Sequence, residues 1–89
     1  MDKSEFDPQL RADGYTEIET KLVAPKPAND AHGHPFAVRG LVLSGAFTVI
    51  QDGTSTTYKA GEVFVVALGR EHSEGVGTEG AQILVGRKY

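Results

Sequence analysis

The stretch AHGHPFAVRG places His32 and His34 on either side of a single glycine. In extended chain, side chains two apart share a face. The two imidazoles therefore project together, and a converging pair can chelate one ion. The third and last histidine, His72, follows the turn-like ALGRE and opens another β-rich run. The chain has no cysteine, so disulfides and thiolate zinc sites are excluded. Any metal must be held by imidazole, carboxylate or water. His32, His34 and His72 are the candidate ligands. The competing reading of an isolated His-x-His is a pair of loop histidines in a polar turn.

Glu74 lies two residues after His72 and shares its face in a strand. It could reach the ion or hydrogen-bond a ligating imidazole; the alternative is a solvated charge at a strand end. Glu71 points to the other face. Arg39 is out of phase with the histidines and reads as an outer-face or interface residue. Tyr58 and Gln82 are candidate pocket residues.

These side chains need elements to carry them. Asp7 is a fair N-cap, Pro8 suits a first helical position and Gly14 a stop, so residues 1–14 read as one or two helical turns stapled by Phe6 and Leu10. From Tyr15 to residue 89 the pattern is β. YTEIETKLVA alternates as a strand with one wet face. Pro25, Pro27 and Asn29-Asp30 end it. HPFAVRGLVLSG follows, and Gly45 separates it from AFTVIQ. Asp52-Gly53 is a two-residue hairpin signal before TSTTYKA. Then come VFVVA, HSEGV, a GTEG loop and AQILVGRKY. About seven or eight short strands at this spacing predict an all-β barrel or sandwich.

Composition bounds the rest. At 89 residues the chain is one domain. A net charge of −3 with no basic run argues against nucleic acid or an anionic membrane as partner. MDKSEFDPQL lacks the apolar core of a secretory signal, and no stretch is apolar enough to span a bilayer. A cytoplasmic protein is expected. No phosphate loop, G-x-S-x-G elbow or HExxH is present. GVGTEG has no helix behind it to make a nucleotide cradle. The seven aromatic residues are scattered as core residues, not as a base-stacking platform.

The histidine and glycine positions together resemble the cupin superfamily, whose members are jelly-roll β-barrels. The first cupin motif runs His-x-His, then a glutamate, then a glycine. His32 and His34 match it, and Gly45 falls at the glycine. Val38 falls at the glutamate. In the second motif Gly61, Gly69 and His72 match in register, with Ala67 at the proline and Val76 at the asparagine. The resemblance covers residues 30–77 by motif, and is nearest to the minimal single-domain bacterial cupins. It implies an all-β cupin-type jelly-roll barrel and a divalent transition metal, Fe, Zn, Mn, Ni or Cu, on the three histidines. Without the carboxylate, zinc and copper tolerate all-imidazole ligation better than iron(II) or manganese(II). Some cupin-type dioxygenases nonetheless use three histidines on iron.

Three functions remain open at this point. One is a mononuclear non-heme metal oxygenase, or a zinc hydrolase, acting on a small organic molecule. The second is a non-catalytic small-ligand-binding or sensing barrel. The third is a purely structural barrel. A homodimer is expected, because a short barrel leaves sheet edges to pair.

Overall fold

A computed structural model describes residues 1–26 and 32–89. Helix α1 spans Lys3–Ala12, followed by strands β1 (Thr16–Val23), β2 (Ala37–Gln51), β3 (Thr54–Lys59), β4 (Val63–Val66) and β5 (Ser73–Lys88). The Pro27 and Asn29-Asp30 turn expected from the sequence lies outside the described residues.

Helix α1 is longer than one or two turns, and its cap is Asp2 rather than Asp7. The Asp2 carboxylate accepts from the Glu5 amide at 3.0 Å and the Ser4 hydroxyl at 2.7 Å. These two donors, the Ser4 hydroxyl first, hold it below the usual carboxylate range. Pro8 sits inside the helix instead of opening it. It removes one amide bond, to the Ser4 carbonyl, and Ser4 is exposed to water. Gly14 does stop the helix. Its φ of +85° lets Tyr15 donate back to the Leu10 carbonyl at 3.0 Å and Gly14 to Arg11 at 3.1 Å. Phe6 and Leu10, one turn apart, are fully buried on the outer face of the sheet against Leu41 and Leu84.

Five strands replace the seven or eight expected, because two pairs fuse. AVRGLVLSG and AFTVIQ are both carried by β2, with His34-Pro35-Phe36 outside it, and SEGV and AQILVGRK by β5, with His72 just before it. All pairings are antiparallel. The order is β1-β5-β2-β3, with β4 also on β2. The first half of β2 meets β4 and its second half meets β3, so the long strand serves two sides of the barrel. Asp52-Gly53 makes the expected hairpin, both residues at positive φ (+53° and +74°), as a type I′ turn requires.

The GTEG loop survives only as an excursion within β5. Gly45 pairs with Ala81 and Phe47 with Val76, so residues 77–80 have no β2 partner. The excursion shifts the side-chain phase. Ala81, Ile83 and Val85 face the interior, and so does Val76, five residues before Ala81. The interior core also takes Val42, Phe47, Val49 and Phe64. Gly40 lies beneath the Phe64 ring, where a Cβ would come within 2.2 Å of it.

Candidate metal centre

The end of the barrel before β2 and β5 is closed by backbone. His32 and His72 exchange both main-chain hydrogen bonds, at 2.8 and 2.9 Å, as a directly opposed antiparallel pair. Opposed residues project to the same face. His34, two residues along, follows them. The ring centroids lie 4.4 Å (His32–His72), 4.8 Å (His34–His72) and 5.1 Å (His32–His34) apart. One candidate ligand nitrogen from each ring lies within 4.8 Å of the others. The structure thus brings together the three histidines singled out in the sequence.

His72 is 2% exposed. Its Nδ1 lies 3.3 Å from the Arg70 carbonyl and its Nε2 3.2 Å from Glu74 Oε1. Glu74 Oε1 is also 3.5 Å from His32 Nε2. Both groups facing His72 are acceptors when Glu74 is ionised. A neutral imidazole carries one N–H, so only one of the two contacts can be an ordinary hydrogen bond. His34 Nδ1 is buried with no hydrogen-bond partner. Burial, then the positive charge of His72 and of His32, push the His34 pKa below its ordinary value of 6.5. A depressed pKa favours the neutral imidazole that metal coordination needs. On these observations the residues fit a divalent transition ion.

The remaining sequence candidates fall as follows. Glu71 is exposed. Arg39 is on the outer side, paired with Asp13 at 2.6 Å and stacked 4.9 Å over Tyr15. Tyr58 packs on Phe64, and Gln82 stands opposite the exposed Leu22; neither lines the cavity.

That cavity, about 340 Å³, runs from His34 and His72 into the interior core. Val38 is on its wall, where the resembled motif has a glutamate. Lys21, Lys26 and Arg87 also line it, and sequence reasoning passed them over. The signal was present: Arg87 continues the inward alternation of Ile83 and Val85, and Lys21 alternates with Val23.

No protein-family model matches this chain. No curated protein matches it either. Solved structures do. An RmlC-like cupin from Shewanella frigidimarina superposes with a TM-score of 0.69 at 21% identity, over 80% of this chain and 63% of that one. A cupin 2 conserved barrel domain protein from Salinispora arenicola gives 0.68 at 22% identity, over 81% and 61%. This chain has the cupin fold. The EutQ protein of Clostridium difficile is similar as well, with a TM-score of 0.72 at 14% identity, over 89% of this chain and 60% of that one. This chain therefore spans about three fifths of the length of these three structures. At these identities the likeness carries the fold and nothing finer.

Proposed function

We propose that this cupin is a metalloprotein that holds one divalent transition ion on His32, His34 and His72 and binds a small organic molecule in the cavity beside it. The observation that carries the reading is the convergence of the three imidazoles at one end of an apolar cavity. When bound, the ion supplies Lewis acidity and, if it is iron, the redox chemistry of a mononuclear non-heme oxygenase; zinc would instead acidify a water. Iron, zinc, manganese, nickel and copper all accept imidazole ligands. The chain's own part is to hold and orient. Glu74, 3.2 Å from His72 Nε2 and 3.5 Å from His32 Nε2, would offset the charge of an ion held there. The apolar walls, Val38, Phe47 and Val85 among them, keep water from the bound molecule.

A second reading, a non-catalytic ligand-binding or sensing cupin, is favoured by one observation. Among the described residues Glu74 is the one carboxylate lining the cavity, and it is engaged by histidines. No separate general base stands ready. The working setting on either reading is a cytoplasmic homodimer, without nucleic acid or membrane as partner. The net charge of −3 supports this, and among the described residues no helix is long and apolar enough to cross a membrane.

Elemental mass spectrometry of the untagged protein, beside His72→Ala, tests the centre. One ion per chain, lost in the variant, is expected. Less than a tenth of an equivalent of every transition metal after purification and after reloading would overturn it. Oxygen uptake by iron-loaded protein with diketones, thiols and phenols then separates oxygenase from binder.

A further inference from the structure

The cavity carries more positive charge than the histidine cluster accounts for. Register turns three cations toward it, Arg87 and Lys26 half-buried on its wall and Lys21, 44% exposed, at its rim. Lys21 is paired with the inward Ile83, and Arg87 with the inward Val38. Lys26 exchanges both backbone hydrogen bonds with the inward Val76, at 2.9 Å each. All three line the cavity, where Glu74 is the single carboxylate among the described residues. This collects three of the chain's nine Lys and Arg residues in one compartment of a protein whose net charge is −3. Glu19 lies 3.2 Å from Lys21 and Glu17 3.5 Å from Arg87. Both acids are about half exposed and outside the cavity lining, where solvent screens them.

Arg87 is the best placed of the three. Its guanidinium lies 4.7 Å over the ring of Phe36. Phe36 in turn stacks on His34, with centroids 4.7 Å apart and planes 7° from parallel. A cation, an aromatic face and the histidine cluster therefore follow one another along one wall. The facing apolar wall, with Val49, Phe64 and Ile83, strengthens any charge interaction by excluding water.

We propose that the molecule taken by this cavity is a small organic carboxylate, its carboxyl group held by Arg87 beside Phe36, with Lys21 and Lys26 adding to the field and its apolar body against the valines. This rests on the reading of the cavity as a small-molecule compartment. It does not require the metal. Arg is suited to the task because its planar fork matches a carboxylate with two parallel hydrogen bonds. The cavity volume is near the lower end for small-molecule sites, so the ligand is compact.

Titration of the whole, metal-free chain with benzoate and with its neutral isostere benzamide, followed by 1H–15N NMR, tests the assignment. Benzoate should saturate, with shifts centred on Phe36, Val38 and Arg87, and should bind about tenfold or more tightly than benzamide. Arg87→Gln should weaken benzoate about tenfold and leave metal uptake unchanged. Should that variant fold poorly, the double variant Lys21→Gln/Lys26→Gln, away from the Phe36 stack, should weaken benzoate but not benzamide. Equal affinity for the two probes, no saturation by benzoate, or benzoate affinity unmoved in the folded variants would overturn the proposal. A protein that retains no metal yet binds benzoate through Arg87 would overturn the metal centre alone. One that holds its metal but prefers neither probe would overturn the carboxylate alone.

Discussion

His34 sits at the meeting point of two influences. Its Nδ1 is buried without a partner, and burial together with the charge of His72 and His32 lowers its pKa. A histidine whose folded-state pKa is depressed binds protons more readily in the unfolded chain. Its contribution to stability is fully present above the unfolded value and is lost as the pH falls through the folded one. Metal-free protein should therefore unfold at lower denaturant as the pH is taken from about 7.5 to about 5. His34→Gln, with nothing to titrate at that place, should show a flatter dependence over the same range. Equal slopes for the two proteins would show that burial at His34 is not felt by its proton.

At the scale of elements, the centre depends on where strand phase changes. A strict two-residue alternation back from Ile83 and Ala81 would put Gly75 and Ser73 inside and turn Glu74 and His72 outward. The unpaired excursion at 77–80 reverses the phase and brings them in. Gly45 makes that crossing feasible. Its φ is +74°, and a Cβ there would lie 2.1 Å from the Gly80 carbonyl oxygen. Gly45→Ala should cost about 2 kcal/mol or more, a fall in Tm of roughly 10 °C for a domain of this size. Gly53→Asn, with nothing within 4 Å of its Cβ and in a turn that accepts Asn, should cost under about 1 kcal/mol. Thermal unfolding of both checks the contrast.

The same place marks the limit of what the sequence discloses. Asp52-Gly53 announced its hairpin because positive φ at both turn positions has a local chemical signature. The three histidines and the glycines around them were legible because the spacing of motif residues survives at low identity. GVGTEG was not, since glycine-rich polar chain has the same composition in a loop and in a bulged strand. Pro8 misled for a similar reason. It is at home in the first turn, and only the burial of Phe6 and Leu10 against Leu41 and Leu84 explains a helix running through it. The inward cations were obscured by their charge: Lys21 and Arg87 obey the alternation, but polar side chains are expected outside.

For the whole molecule the open question is how the sheet ends. Among the described residues β1 pairs only with β5, and β3 only with β2. On β1, Leu22 is 83% exposed. Unpaired edges bearing a large apolar side chain favour association with another copy. Sedimentation at micromolar concentration should give twice the 9.5 kDa mass of the chain, and Leu22→Lys should shift it toward that mass. A native protein that sediments as a single chain would remove the dimer.

The paired main-chain bonds between residues 32 and 72 have a thermodynamic meaning for ion capture. They place two donors from distant parts of the chain side by side as a result of folding, so the entropic cost of gathering them is met in advance. A cation bound on the proposed site would have mainly ring torsions left to settle. Such a preorganised claw gains affinity through its scaffold as much as through the identity of the donors.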